Sequence, residues 1–208
     1  MRGPQDGGAG TRRAEALPPQ QHVERAERRA EALPPQQGVA GRRAEALPPQ
    51  ERADRSLVFH RRFRAPRDLV FRAWTESGHI ARWWGPDGFT TTTREMDVRP
   101  GGVWRFTMHG PDGTDYPNRI VYLEVAPPER LVYKHDPDKD DEPVSFTVTV
   151  TFEQQGPDTA LTMSMEFPTR AALLEVCEKY GAEEGAVQTL GRLTAYVEDL
   201  ATQSPKNA

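Results

Sequence analysis

VSFTVTVTF, at residues 144–152, alternates apolar and polar side chains without interruption. Successive side chains of a β-strand point to opposite faces, so this period of two predicts a strand with one buried and one solvent-facing side. Strands of this kind are typical of antiparallel sheets that cover a core with one face. The predicted buried side consists of Val144, Phe146, Val148, Val150 and Phe152.

Neighbouring segments carry strand patterns as well, and turn signals such as PDG at residues 111–113 separate them. On the C-terminal side, LTMSMEF at residues 161–167 repeats the alternation of the first stretch. Together these segments predict an antiparallel sheet of about seven strands, near residues 57–63, 90–98, 103–109, 120–125, 131–135, 144–152 and 161–167.

The C-terminal region has a helical period instead. Its apolar residues recur every three or four positions and form one stripe of an amphipathic helix, namely Ala186, Leu190, Leu193, Val197 and Leu200. Two short helices are predicted after the first strand, one beginning near Pro66 and one from Ser77 through Trp84, and another at 170–179. A half-apolar sheet and one long apolar stripe can bury each other, which predicts an α+β fold with a curved sheet wrapped on the C-terminal helix.

Residues 1–55 differ in composition from the rest of the chain. They contain seven prolines and ten arginines but none of the seventeen aromatic residues. Such a segment cannot bury enough apolar surface to offset the entropy of folding. We therefore expect a disordered tail at 1–55, a folded domain at 56–201 and a disordered C-terminus at 202–208.

The tail contains RRAEALPPQ three times without a mismatch, beginning at Arg12, Arg28 and Arg42. The irregular spacing and the diproline in each copy exclude a solenoid, which needs a fixed period and a continuous apolar face. Two interpretations remain: a linker with three equivalent short motifs, or a tandem DNA repeat translated from a start assigned too far upstream. The perfect identity of the copies favours the second.

Charge and cysteine content exclude several classes of function. Residues 56–208 carry 17 basic and 23 acidic residues, and this net charge of −6 argues against a nucleic-acid-binding role. No apolar run is long enough for a membrane span, and the N-terminus has no apolar leader, so we expect a cytoplasmic protein. The single cysteine, Cys177, excludes an intrachain disulfide and is predicted to be a structural thiol on a helix.

Several segments, taken in order, resemble the SRPBCC superfamily, also described as START-like or Bet v-type helix-grip proteins. Within it they resemble the branch homologous to the activator of the heat-shock protein 90 ATPase. The resemblance covers about residues 56–201 and is carried by APRDLVFRAW (65–74), HIARWWGP (79–86), RPGGVWRF (99–106), MHGPDG (108–113), YLEV (122–125), PPERLVY (127–133), EEG (183–185) and the helix at 190–200.

This resemblance implies a seven-stranded antiparallel sheet, two short helices and a cavity between the sheet and the long helix. Such a cavity suits lipids, polyketides or other apolar molecules. Large aromatic side chains and pliable methionines are common in adaptable pockets, although the same residues could simply form the core. The expected ligand-binding residues are Trp84, Trp104, Phe106, Met108, Tyr122, Tyr133, Phe146, Met163, Met165 and Leu190. The pattern leaves open which face of the strand at Tyr122 points inward.

Titratable residues on or beside the predicted strands could act as a general acid or base, namely His109, His135, Glu124 and Glu166. Their spacing does not guarantee contact between any two, and no nucleophile motif is present, so surface or strand-edge positions are the simpler interpretation. The acidic loop at 136–142 lacks the spacing of a calcium loop. No catalytic residue, metal or cofactor is therefore assigned.

Three functions are compatible with these observations. The first is binding of an apolar small molecule by a monomer or homodimer, favoured because a cavity is implied and a catalytic constellation is lacking. The second is a polyketide cyclase or dehydratase that uses one acid or base in the cavity. The third is stimulation of a chaperone ATPase, but the eukaryotic activator has a second chaperone-binding domain that residues 1–55 cannot supply.

Overall fold

The structure is a computed structural model, and it describes residues 49–138 and 145–203. Its strands are β1 (Ser56–Phe63), β2 (Thr90–Met96), β3 (Val103–His109), β4 (Asp115–Ala126), β5 (Arg130–Pro137), β6 (Phe146–Gln155) and β7 (Asp158–Glu166). Its helices are α1 (Pro49–Ala53), α2 (Arg67–Thr75), α3 (Ser77–Ile80), α4 (Arg170–Tyr180) and α5 (Ala182–Gln203).

The seven strands form one antiparallel sheet in the order β1-β7-β6-β5-β4-β3-β2. Each strand from β2 to β6 pairs with the next one along the chain, and β1 pairs with β7. The two short helices α2 and α3 follow β1, and the long helix α5 ends the described chain. The predicted α+β helix-grip architecture is confirmed.

The core lies between the inner face of the sheet and helix α5. Leu190, Leu193 and Val197 of the apolar stripe are buried, and they belong to one cluster with the sheet residues Val150 and Phe152. Burying one such side chain contributes about 1.5–3 kcal/mol. The helix has 22 residues, which is about six turns and longer than the stripe that predicted it.

A cluster of tryptophans joins α2 to the segment after α3. The indole of Trp83 is fully buried, and its Nε1 donates a hydrogen bond to the Ala73 carbonyl at 2.9 Å. Its ring centroid lies 5.0 Å from that of Trp74 and 5.3 Å from that of Trp84. Helix α3 ends at Ile80, before this cluster, so the helix predicted from Ser77 to Trp84 is shorter than expected.

The burial of successive residues identifies the inward face of β4. Tyr122 is buried, whereas the next residue, Leu123, is 47% exposed. The pairing with β5 shifts between Tyr122 and Glu124, so both faces of this stretch carry apolar residues. This shift explains why alternation alone did not identify the buried side.

Several boundaries differ from the predicted ones. Helix α1 falls within the predicted tail, α5 extends two residues past 201, and β4 begins five residues before 120. The repeats at 12–50 fall almost entirely outside the described residues, as do most of the acidic loop and the terminal segment 204–208.

Gly181 sets the turn between the last two helices. Its backbone has φ of 59°, a left-handed conformation that favours glycine, and its N–H donates to the Cys177 carbonyl at 3.0 Å. The end of α4 and the start of α5 therefore meet at this turn.

Candidate functional site: an apolar cavity between sheet and helix

A cavity of about 580 Å³ lies between the sheet and α5. Its floor comes from the inner face of β3 to β7, and its other walls come from the end of α4, the first half of α5 and the loop at 83–89. Apolar side chains dominate the lining. Glu175, Lys179 and Tyr180 of α4 are also in contact with it and are exposed, so they mark its opening.

Seven of the ten expected ligand-binding residues line this cavity, namely Trp84, Met108, Tyr133, Phe146, Met163, Met165 and Leu190. The other three are buried on the inner face but lie outside the cavity wall, namely Trp104, Phe106 and Tyr122. The structure therefore brings together most of the set and separates these three from it.

The indole of Trp84 separates Trp104 and Phe106 from the cavity. The rings of Trp104 and Phe106 stack with centroids 4.0 Å apart. Trp84 packs edge-on against both, at 4.9 Å from Trp104 and 5.8 Å from Phe106. Trp84 therefore forms the cavity wall here, and the stacked rings of Trp104 and Phe106 pack against its other side.

Two tyrosines meet on the inner face of β4 and β5, with ring centroids 6.2 Å apart. Burial raises the pKa of both phenols, Tyr122 and Tyr133, and for Tyr133 the neighbouring Tyr122 adds to the effect. Both phenols are therefore neutral near pH 7. Of the two, Tyr133 is part of the cavity wall.

His135 is a titratable side chain that β5 places in the cavity wall. Its Nε2 lies 2.9 Å from Oδ1 of Asn118, and the Asn118 amide nitrogen donates to the Tyr116 carbonyl at 2.8 Å. Burial lowers the pKa of His135 to about 4, and the charge of Asp136 acts in the opposite, weaker direction. The imidazole is therefore neutral at physiological pH.

This pKa makes stability depend on pH. In the unfolded chain the imidazole has its ordinary pKa of about 6.5, so between pH 6.5 and pH 4 the unfolded state takes up a proton that the folded state does not. We expect the free energy of unfolding to fall across this window by about 1–2 kcal/mol, after allowing for partial access to water, and to recover above pH 6.5.

Urea unfolding of wild-type protein and of His135→Phe, at pH 7 and at pH 4.5, measures this contribution. Carboxylates and other histidines affect both proteins equally, so the wild type should lose more stability than the variant on acidification. Equal losses in the two proteins would contradict the prediction.

The other candidate acids and bases lie away from the cavity lining. His109 sits on β3, with Nδ1 2.6 Å from Asp115 Oδ1 and Nε2 2.9 Å from the Thr92 hydroxyl. Glu124 pairs with Arg130 on the outer face, and Glu166 accepts a hydrogen bond from Arg55 at the end of β7. The interpretation as surface or strand-edge positions fits His109, Glu124 and Glu166. It is wrong for His135, which is on the inner face of a central strand.

The loop at 85–89 is fixed to α5 by side chains of that helix, since Oε1 of Gln188 accepts a hydrogen bond from the Asp87 N–H at 3.1 Å. Nη1 of Arg192 donates to the carbonyls of Gly85, Pro86 and Phe89, at 2.8, 2.7 and 3.1 Å. All three carbonyl-bearing residues line the cavity. Gly85 has φ of 108°, which explains a glycine at this bend.

Sequence reasoning missed several residues of the wall. Phe89 and Tyr116 pack with ring centroids 5.9 Å apart near the cavity opening, and Asn118 holds His135. Tyr116 and Asn118 flank Pro117 in a stretch whose composition favours a turn, yet it pairs with β3 as part of β4. For His135, the sequence did contain a signal of its inward position, namely the period of two from Leu131 through Tyr133 to His135.

Among the residues that the structure describes, no cluster of His, Cys, Asp and Glu side chains is arranged to hold a metal ion. Within the same residues, no helix combines the length and apolar character needed to cross a membrane.

Known proteins share this architecture. Residues 64–198 match the model of the family described as activator of Hsp90 ATPase homolog 1-like protein. A crystal structure from Chromobacterium violaceum is 27% identical, covers 69% of this chain and 97% of its own, and has a TM-score of 0.62. A solution structure from Staphylococcus epidermidis is 25% identical, covering 74% of this chain and 93% of its own, with a TM-score of 0.61.

The AHSA1 protein from Silicibacter pomeroyi shares the fold, with a TM-score of 0.58 and 22% identity over 72% of this chain and 99% of its own. No curated protein matches this chain in sequence.

Proposed function

Because the chain belongs to the activator of Hsp90 ATPase homolog 1-like family, a branch of the SRPBCC superfamily, we propose that it binds an apolar small molecule in the cavity between its sheet and helix α5. The observation that carries the proposal is the space itself. Apolar strand faces close over the helix stripe and leave about 580 Å³ between them.

The size and lining of the cavity support a ligand-binding role. Pockets for small molecules typically measure about 300–1,000 Å³ and combine an apolar wall with a few polar groups. Here aromatic rings and the flexible side chains of Met108, Met163 and Met165 form much of the wall. Methionines can repack around ligands of different shape, which suits a pocket that accepts related molecules.

A cavity-filling substitution on α5 tests the proposal. Ala186 lines the cavity, whereas Ala195 of the same helix is exposed. We expect the neutral fluorescent probe N-phenyl-1-naphthylamine to bind wild-type protein saturably. In Ala186→Phe the new ring occupies the space that the probe needs, so affinity should fall at least about tenfold, which corresponds to roughly 1.4 kcal/mol.

Ala195→Phe is the matched control, because it adds the same ring to the solvent side of the same helix. Its probe affinity should equal that of wild-type protein. Absence of saturable binding in wild-type protein, or equal binding by both variants, would overturn the proposal.

A cyclase or dehydratase activity has one observation in its favour, which is the histidine in the cavity wall. A general base works best when its pKa is near the operating pH. The pKa of His135, lowered to about 4, leaves it a weak base near pH 7. This difference favours binding without chemical change.

We place this binding role in the cytoplasm, because a single half-buried thiol, Cys177, suits a reducing compartment. Cell fractionation followed by immunodetection tests the location.

A further inference from the structure

We propose that the cavity selects apolar molecules that carry a hydroxyl group, and that this hydroxyl donates a hydrogen bond to Nδ1 of His135. The inference rests on the proposed binding function and adds the chemical class of the ligand: phenols and alcohols with a large apolar body.

The neighbours of the His135 imidazole determine which of its two nitrogens carries the proton. The Asn118 amide nitrogen donates to the Tyr116 carbonyl at 2.8 Å, which fixes the orientation of the amide. Its Oδ1 therefore faces Nε2 of His135 at 2.9 Å and accepts from it. A neutral imidazole has one N–H, so with the proton on Nε2 the Nδ1 atom holds a lone pair.

The surroundings of Nδ1 leave this atom accessible. Within residues 49–138 and 145–203, no atom forms a hydrogen bond to it, and it is not among the buried polar atoms that lack a partner. His135 is on the inner face and lines the cavity, so the accessible Nδ1 is open to the cavity interior. Nδ1 can therefore accept a hydrogen bond from a donor in the cavity.

A donor on the ligand matters because of the apolar surroundings of the His135 imidazole. The imidazole lies among aromatic rings, with its centroid 5.0 Å from Phe146, 6.0 Å from Phe106 and 6.4 Å from Trp84. A bound apolar molecule displaces water from such a place. A ligand with a hydroxyl pairs with Nδ1, whereas one without it leaves a buried acceptor unpaired, and that asymmetry is the usual source of strong discrimination.

Several other polar groups at the cavity already have partners in the protein. The Thr189 hydroxyl donates to the Gly185 carbonyl at 2.7 Å. Asp115 lies 2.6 Å from His109, and Asp136 lies 3.4 Å from Arg119. Glu175 is exposed at the opening. Substitution at His135 therefore distinguishes its contribution from those of the carboxylates.

The test uses two probes of similar shape, 2-naphthol and 2-methoxynaphthalene, of which the first has a hydroxyl donor. Dissociation constants for both are measured at pH 7 on wild-type protein and on His135→Phe. We expect the affinity ratio of naphthol to ether to be about tenfold higher in the wild type than in the variant. Comparing ratios cancels the different hydration of the two probes.

The outcomes separate the two proposals. If both probes bind wild-type protein and the ratio does not change in His135→Phe, the hydroxyl inference is wrong and the binding function stands. If neither probe binds wild-type protein, the binding function fails as well.

A measurement on wild-type protein covers the case in which His135→Phe does not fold. In ¹⁵N NMR spectra of labelled imidazoles, Nε2 of His135 should carry the proton. The Nδ1 resonance should shift on adding naphthol and much less on adding the ether. A proton on Nδ1, or equal responses to the two probes, would overturn the inference.

Discussion

Replacing Trp83 by alanine should lower the free energy of unfolding by about 3–5 kcal/mol, the range for removing a large side chain from a packed core. Trp83 is completely buried between Trp74 and Trp84. The change also removes the donor to the Ala73 carbonyl, which ties the segment after α3 to α2. Urea unfolding followed by far-ultraviolet circular dichroism measures the loss without depending on tryptophan fluorescence.

Two further variants control this experiment. Trp83→Phe keeps a ring in the core but lacks the N–H donor, so it should lose less stability than Trp83→Ala. Leu123→Ala truncates a side chain that is 47% exposed and should lose less than about 1 kcal/mol. The packing argument is wrong if Trp83→Ala is no more destabilised than Leu123→Ala.

Replacing Arg192 by methionine should cost about 3 kcal/mol of stability and also weaken probe binding. The two hydrogens of Nη1 are shared by three carbonyls of the cavity loop, and a hydrogen bond to a charged group contributes about 1.5–3 kcal/mol net of the bonds to water that it replaces. The low end of that range for two such bonds gives the expected loss. Methionine keeps much of the apolar stem but has no donor. Without these hydrogen bonds the loop keeps its contact from Asp87 to Gln188 but holds Pro86 and Phe89 less firmly in the cavity wall.

Unfolding in urea and titration with N-phenyl-1-naphthylamine measure the two effects. Arg192→Lys keeps the charge but presents a compact ammonium group, so its losses should be intermediate. Arg72→Met removes an exposed arginine that pairs with Glu76 on the surface, and it should change neither quantity appreciably. Unchanged stability and unchanged affinity in Arg192→Met would show that the loop does not depend on this side chain.

Much of the fold could be predicted because its strands and final helix have simple periods. The alternation at 144–152 and 161–167 appears as β6 and β7, and the stripe from Ala186 to Leu200 appears as the buried side of α5. The first residues of β4 could not be predicted in this way. Their composition favours a turn, and only pairing with β3 makes them a strand, so a long-range interaction overrides the local preference.

The site was less predictable, since alternation gives the face of a strand and not the position of the cavity along it. Trp104, Phe106 and Met108 share the inner face of β3, but Trp84 covers the first two and leaves the third at the cavity. Trp84 comes from a loop, and its placement depends on tertiary contacts. The same limit applied to His135, whose partner Asn118 lies on the neighbouring strand.

Helix α5 is supported unequally along its length. Leu193 and Val197, in its second half, are completely buried, whereas Ala182, Gly185 and Ala186, in its first half, border empty space. The second half is held by the core, whereas the first half borders the cavity on its inner side. Under the proposed binding role, a change in the size of the ligand would therefore act on the first half of the helix and leave the packing around Leu193 and Val197 unchanged.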